Sequence, residues 1–497
     1  MASSKAGAAT VIERTPAQSA PLPLSPTKEA TRRLADSVAA ERKSWIGRNR
    51  YYYEDHYRYM RFLVPKGSRV LDLGCGTGDL LAELEPSHAV GVDLSEAMID
   101  IARREHPGYA FHVGDVEDPA VIAGLEGPFD VIILSDTIGS LEDIEATLYG
   151  LQPLCGPETR LVISYYSRGW EPLLKLAERM GTKQRQLPLN WLSTSDIAGL
   201  LSLADFEIIK REWRQLLPKR FLGLGPLVNG TLAPIPGIRR LCFRNYVVAR
   251  SIIEKARPYR SATVLVPCRN ERGNIEAAVQ RTPQFCDDVE ILFVEGHSAD
   301  GTLEEIERVR DAYPDRDIKV FVQPGKGKGD AVRHGFANAR GDVLMILDAD
   351  LTMPPEALPK FYNALASGKG EFVNGTRLVY PMEQRAMRPL NLMANRTFSL
   401  VFSWLLNQRF TDTLCGTKAL SREHYRRIAE GRDYFGSFDP FGDFDLLFGA
   451  AKANLKIVEI PIRYAERRYG APQISRFRDG WYLLRMVAFA YRKLKIP

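Results

Sequence analysis

Asp348 and Asp350 stand one residue apart directly after the apolar run of LMILDAD, so two carboxylates converge where a buried strand ends. Oxygen ligands placed this way suit Mn²⁺ or Mg²⁺ bridging a diphosphate. Alone, such a pair is common, but three neighbouring segments narrow its meaning. PCRNE (267–271) follows one apolar run, FVEGHSADGT (293–302) closes a second, and QPGKGKGDAVRHG (323–335) sets Lys326 and Lys328 in a glycine-rich stretch suited to phosphate. A second chemical signature lies nearly three hundred residues earlier, in VLDLGCGTGDLL (70–81). Glycines after a strand let the backbone approach a nucleotide, and the helix that follows offers free N–H groups. The dinucleotide fingerprint G-x-G-x-x-G is not met, because Asp79 or Leu81 stands where the third glycine belongs in either register. What stands instead is D-x-G-x-G-x-G, formed by Asp72, Gly74, Gly76 and Gly78. Asp93 ends the next strand, placed to accept two ribose hydroxyls, and Asp115 ends a third, where a short acid can meet an adenine amine.

The elements that must hold these groups read as two series of alternating strands and helices. RVLDL, AVGVDL, AFHVGD, FDVIILSD and TRLVISYY are short apolar runs separated by helical stretches. After about residue 258 the alternation restarts with ATVLVPCRN, VEILFVEG, IKVFVQP and GDVLMILDAD. Both series predict α/β domains with mostly parallel sheets, and the different acid and glycine placement makes the chain a fusion, not a repeat. The expected division is a disordered Ala/Ser/Pro/Thr tail at 1–28, a first domain at 29–215, and a Gly/Pro-rich extension or linker at 216–257. A second domain follows at 258–480, then a basic amphipathic segment at 481–497.

Composition sets outer bounds. A chain of 497 residues, 45% hydrophobic and 26% charged, is an ordinary globular one of two or more domains. A net charge of +6 permits phosphate ligands without indicating a nucleic-acid binder. Six scattered cysteines with no C-x-x-C pair argue against a disulfide framework or a zinc site and fit a reducing cytosol. Residues 1–30 lack the apolar core of a signal peptide, and FSLVFSWLL (398–406) is too short to span a bilayer. A cytoplasmic protein is expected, with any membrane contact peripheral. The tail WYLLRMVAFAYRKLKIP either lies on an anionic membrane or packs on its own domain.

The first signature resembles the class I S-adenosylmethionine-dependent methyltransferases over roughly residues 45–215. The resemblance implies a Rossmann-like sheet and a cofactor held by Asp72, Gly74, Gly76, Gly78, Asp93, Asp115 and Val116. Ser135 and Asp136 would face the methyl acceptor. Methyl transfer depends chiefly on positioning, so no catalytic residue need show. His56 and His112 are candidate bases, each weighed against a structural role, and Tyr51–Tyr59 is either a lid or a packed helix face.

The second set resembles family 2 glycosyltransferases of GT-A fold over roughly 258–480. It implies a nucleotide-sugar held by Pro267, Asn270, Glu271, Glu295, Lys328 and Asp348, with the metal on Asp348 and Asp350. The usual aspartate pair after the second strand is Glu295–Gly296 here. Asp412, Gly416 and Lys418, with Arg467 and Gly470, resemble the polyprenyl-phosphate branch that includes dolichol-phosphate mannosyltransferases, though the serine–basic pair arrives late, at Ser475 and Arg476. A lipid phosphate arrives ionised and needs cations, for which Arg467, Arg468, Arg476 and Arg478 are candidates. A sugar hydroxyl would need a base. Asp443 and Asp412 are the catalytic candidates carried forward, with Asp445 beside Asp443. The resulting expectation is metal-dependent, inverting sugar transfer to a polyprenyl phosphate or glycan, joined to methyl transfer. The alternative is a soluble saccharide- or small-molecule-directed glycosyltransferase whose first domain only binds S-adenosylmethionine.

Overall fold

The computed structural model describes residues 23–181, 189–253, 256–380, 389–435, 444–467, 469–470 and 476–496. The first sheet is built from β1 (Arg69–Leu73), β2 (His88–Asp93), β3 (Ala110–Val113), β4 (Phe129–Ser135), β5 (Cys155–Tyr166), β6 (Phe206–Arg214) and β7 (Arg244–Ser251), in the order β3-β2-β1-β4-β5-β7-β6. All neighbours are parallel except β7, which runs against both β5 and β6. Runs such as VIIL in β4 are apolar on both faces because helices cover both sides, and Ile132 and Ile133 are fully buried.

The second sheet comprises β8 (Ser261–Cys268), β9 (Asp288–Glu295), β10 (Asp317–Val322), β11 (Val343–Ile346), β12 (Phe372–Thr376), β13 (Lys418–Ser421) and β14 (Ile457–Pro461). Its order is β10-β9-β8-β11-β13-β12-β14, with β13 alone antiparallel to its neighbours. The expected pair of α/β domains is therefore present. No helix among the described residues is long and apolar enough to cross a membrane.

Three expected boundaries shift. A helix starts at Pro26, capped by Ser25, inside the stretch read as a tail; residues 1–22 lie outside the described residues. Of the two readings of 216–257, extension or linker, extension of the first domain is the one realised at RNYVVARS, which becomes β7, inserted between β5 and β6. Its near-continuous burial is what a strand paired on both edges and covered on both faces requires. The final helix, Arg476–Ala490, crosses the boundary set at 480/481, and the residues after it dock on the first domain. Lys495 Nζ reaches Glu212 at 2.6 Å and Asn407 Oδ1 at 2.7 Å, while Arg214 donates to the Lys495 carbonyl at 3.2 Å. Of the two readings of this tail, packing within the molecule is the one realised at Met486, Ala490 and Leu494, all buried.

The two sheets share one apolar core. Tyr59, Phe62 and Tyr246 of the first half cluster with Phe402, Phe448 and Met486 of the second. Buried ion pairs cross the same boundary. The Arg160 guanidinium contacts both oxygens of Glu371 at 2.8 Å and the Asn454 carbonyl at 2.9 Å. Arg250 adds a second cation at 3.4 Å from Glu371. Glu158 takes His424 and Arg427 from the second domain, and Lys452 and Asn454 donate to the carbonyls of Phe62 and Leu63.

Candidate functional site

In the second sheet β8 lies between β9 and β11, so the loops after these three strands emerge side by side at one end. This is where an open α/β sheet binds ligands. The Leu347 N–H donates to Leu265 O, carrying the chain one residue past β11 before it turns at Asp348. Lys328, at the start of the Lys328–Asn338 helix, sets its ammonium 2.7 Å from Asp348 Oδ1. Arg467 bridges the other two acids, with 2.6 Å to Asp350 Oδ2 and 2.7 Å to Glu271 Oε1. Burial pushes the Asp348 carboxyl up, but Lys328, then Lys418 and Arg377, hold it below its ordinary range. Glu271 goes the other way, raised by burial despite Arg467 and Asn274.

The turn around these acids is locally fixed. Asn270, at φ +56°, receives the Ala299 N–H on its side chain and donates its own N–H to Ser298 Oγ. The buried Glu295 carboxylate accepts the N–H groups of His297 at 3.0 Å and Ser298 at 2.5 Å. Glu295 therefore shapes the loop in this structure. Pro267 is half-buried near the end of β8. Gly416 passes so close to Asp348 that a Cβ there would land on its carboxylate and on the Lys328 ammonium. Lys418 is fully buried and donates to Asn374 and the Cys415 carbonyl, so it supports this loop from beneath.

Asp412 does not fit the catalytic role expected of it. It is fully buried, gripped by Arg377 at 2.6 and 2.8 Å and by Asn395 at 2.8 Å. Burial raises its pKa, but Arg377 outweighs this and keeps the carboxyl ionised. A carboxylate enclosed in this way positions the loop and has no path to a substrate proton. Asp443 and Arg468 lie outside the described residues, as do the side chains of Arg476 and Arg478. Asp445 pairs with Arg432 at 2.8 Å. Sequence reading missed Arg377 and Glu459, which accepts from Thr411 and from the Asp412 N–H. Neither sits in a recognisable motif, since each is matched to its partner only by the fold.

The donor chemistry here suits a divalent cation bound to phosphate. Two carboxylates are already neutralised by Lys328 and Arg467, so an ion could take either oxygen set while the two cations turn to phosphate. Among the described residues no third acid or histidine offers a ligand atom close enough to share one ion with Asp348 and Asp350, so the remaining ligands would come from phosphate and water.

In the first sheet the loop after β1 rests on β2. Gly74 and Cys75 donate to the Val92 carbonyl, and Gly76 donates to Asp93 Oδ2 at 2.8 Å. Asp93 also takes the Ser95 N–H at 2.9 Å. A Cβ on Gly74 would strike Thr137, whereas one on Gly76 would meet nothing within 4 Å. Gly78, at φ +77°, leads directly into the Asp79–Leu84 helix. Asp72 is buried with Oδ1 unpartnered, and burial, then Asp93, pushes its pKa up to about 7. Asp115 receives the Lys28 ammonium at 2.5 Å from the Pro26–Val38 helix, and Val116 is buried beside it.

Ser135, at the end of β4, meets His56 Nε2 at 3.1 Å, and His56 Nδ1 meets the Tyr246 hydroxyl at 2.9 Å. Burial lowers His56 to about 4, so its ring is neutral near pH 7. Arg244, fully buried, reaches Asp136 at 2.7 Å and Ser164 at 3.1 Å. His112 is exposed on β3, away from this chain of contacts. The Tyr51–Tyr59 stretch is a packed helix face, with Tyr52 and Tyr59 buried. Arg244 and Tyr246 escape sequence reading because their strand falls in the stretch read as an extension or linker.

Comparison with known proteins matches both domains. Residues 45–211 match the family described as Methyltransferase domain, and residues 263–428 match Glycosyl transferase family 2. The polyprenol monophosphomannose synthase of Mycolicibacterium smegmatis is 30% identical over 226 residues, covering 44% of this chain and 83% of that protein. The dolichol-phosphate mannosyltransferase of Pyrococcus furiosus is 27% identical over 242 residues, 47% of this chain and 63% of the relative's own length. Among solved structures, a Mycobacterium tuberculosis glucosyl-3-phosphoglycerate synthase with Mn²⁺ and UDP aligns at TM-score 0.35 and 17% identity, over 48% of this chain and 81% of its own. A Thermotoga maritima S-adenosylmethionine-dependent methyltransferase aligns at TM-score 0.33 and 19% identity, over 44% and 99%.

Proposed function

We propose, because this chain belongs to glycosyl transferase family 2 and carries a methyltransferase domain ahead of it, that it moves a sugar from a nucleotide-sugar to a polyprenyl phosphate and methylates with S-adenosylmethionine. The observation that carries the sugar-transfer half is that each acid of the D-x-D pair already holds a cation, Asp348 with Lys328 and Asp350 with Arg467, which also reaches Glu271. Asp348 and Asp350 are the residues that would hold a divalent cation, which supplies charge neutralisation of the leaving diphosphate. Lys328 and Arg467 then offer their positive charge to phosphate oxygens on the donor and acceptor sides. An ionised acceptor phosphate attacks the anomeric carbon, the new C–O bond forms as the bond to the nucleoside diphosphate breaks, and inversion follows from in-line displacement. Such an acceptor needs no base, which accords with an Asp412 locked by Arg377.

In the first domain, Gly74, Gly76, Gly78 and Asp93 would carry the cofactor, with Asp115 and Val116 at its base. The cofactor supplies an electrophilic methyl group. The neutral His56, linked to Ser135 and Tyr246, orients the acceptor side.

The test is transfer from a panel of radiolabelled nucleotide-sugars with Mn²⁺ to polyprenyl phosphate or to oligosaccharides. Lipid-phosphate labelling that disappears with Asp348→Ala is expected. Labelling of soluble glycans alone would replace the lipid acceptor by a saccharide.

A further inference from the structure

The stretch between β6 and β7 carries its apolar side chains outward. Phe221, Leu222, Leu224, Leu227, Leu232 and Leu241 are all exposed, Leu222 completely. Phe221 and Leu222 also adopt positive φ, +40° and +53°, a conformation that costs such residues energy. Large apolar side chains exposed together in one short segment point to an interaction site. Its charge is one-sided. Residues 215–243 include Lys219, Arg220, Arg239 and Arg240 and not one Asp or Glu.

The patch continues onto the second domain. The Trp404 indole donates to the Pro234 carbonyl at 2.8 Å, and Tyr491 donates to Gly230 O at 2.7 Å. Trp404 shares a face of the Pro389–Leu406 helix with Met393 and Leu400, both exposed, at spacings of seven and four. That helix also has no acid and carries the exposed Arg396. Farther along the same helix, Asn395 holds Asp412 beside the sugar-transfer loop. At the other end of the patch, the Leu241 carbonyl accepts from Trp170, and Phe243 and Arg244 lead into the Ser135–Asp136 side of the first site.

We infer that the segment between β6 and β7, with the outer face of the Pro389–Leu406 helix, docks on an anionic phospholipid bilayer. Leucines interspersed with cations and free of acids are what such a surface selects, because the chains enter the interface while Lys and Arg meet the phosphates. A polar protein partner would call for mixed charge at the rim. The docking stands on exposure and charge alone. Its consequence, that one membrane presents a lipid-linked acceptor to both sites, rests on the acceptor proposed above.

The experiment is flotation of the full chain with phosphatidylcholine vesicles, with and without phosphatidylglycerol, holding no polyprenyl phosphate and no sugar donor. The wild type is expected to float with the anionic vesicles, less so in high salt and least with phosphatidylcholine alone. Leu222→Glu/Leu227→Glu is expected to lose roughly tenfold or more in partitioning. Arg220→Glu/Arg240→Glu should lose the preference for phosphatidylglycerol. Both variants should retain the wild-type melting temperature and its shift with nucleotide-sugar and Mn²⁺, which separates lost docking from lost folding. A wild type that stays with the soluble fraction, or a leucine variant that floats equally well, overturns the inference. So does a dimer in light scattering that the leucine variant dissolves without any flotation of the wild type. Because no acceptor is present, failure of the lipid-phosphate proposal leaves this result unaffected.

Discussion

Replacing Arg160 with Met tests whether the two domains are one folding unit. Arg160 and Glu371 are each about 95% shielded, with side-chain exposures of 6% and 5%. Removing one partner of such a buried pair costs about 3–5 kcal/mol, chiefly because the other charge is stranded. Glu371 is not wholly stranded here, since Arg250 stays 3.4 Å away and the Lys456 N–H still donates at 2.7 Å. The low end, about 3 kcal/mol, is therefore expected. Unfolding entropy near 2.1 cal/mol/K per residue gives roughly 1 kcal/mol/K for the whole chain, so one cooperative transition should fall by about 3 °C. Differential scanning calorimetry reads this directly. The double variant Arg160→Met/Glu371→Leu should recover most of the loss, because an apolar pair replaces the charges and Arg250 keeps Glu207 at 2.6 Å. The pH dependence has a definite sign. Burial raises the Glu371 pKa, but Arg160 and Arg250 together bring it below its ordinary value. The native state thus binds fewer protons than the unfolded one between the two pKa values, and the contribution fades as pH falls through the lower of them. The gap between wild type and Arg160→Met should narrow in acid. Two separate wild-type endotherms, neither moved by Arg160→Met, would refute the shared-core reasoning.

Two further outcomes follow from the geometry. Lys210 is buried at the same boundary, and burial, then Lys452, lowers it to about 7. Its charged form therefore burdens the fold fully below pH 7, and the burden declines as pH rises from there toward the unfolded value. Lys210→Met should raise the melting temperature clearly at pH 6 and progressively less by pH 9, worth up to about 4 kcal/mol; equal gains at both pH values would contradict this. The two sites should also fail separately. Gly74→Ala, at φ +82° with Thr137 in the way, should weaken S-adenosylmethionine binding about tenfold or more in calorimetry while sugar transfer persists. Gly416→Ala, which drives a methyl into Asp348 and Lys328, should do the reverse.

What could be read from the sequence is what chemistry writes locally. Gly74–Gly78 and the Asp348–Asp350 pair are legible because glycine freedom and paired acids act within a few residues of each other, and the strands preceding them are short apolar runs. Partner choice is not local. Nothing near Asp412 in sequence announces Arg377, 35 residues away in the chain, and nothing near Asp350 announces Arg467, 117 away. The buried pair of Arg160 and Glu371 spans 211 residues. β7 was missed for a different reason. It follows a Gly/Pro-rich stretch without periodicity, so the break in pattern was read as extending through the strand itself. The exposed leucines in that stretch carried no signal, because apolar residues in sequence look the same whether they face a core or a membrane.

The placement of the contacts bears on why the two activities share a chain. Among the described residues, ion pairs between the sheets use Glu158, Arg160, Glu207, Glu212 and Arg250 from the first half. Glu371, His424, Arg427, Lys456 and Lys495 answer them from the second. Glu271, Asp348 and Asp350 are absent from that set, pairing instead with Lys328 and Arg467 of their own domain. Among the described residues the joint between the domains therefore uses none of the acids of the sugar-transfer site. An acceptor confined to a membrane would gain, because a rigid pair of sites above one surface replaces a search in three dimensions by one in two. The exposed apolar residues from Phe221 to Leu241, with Met393 and Leu400 on the neighbouring helix, are the element this logic requires.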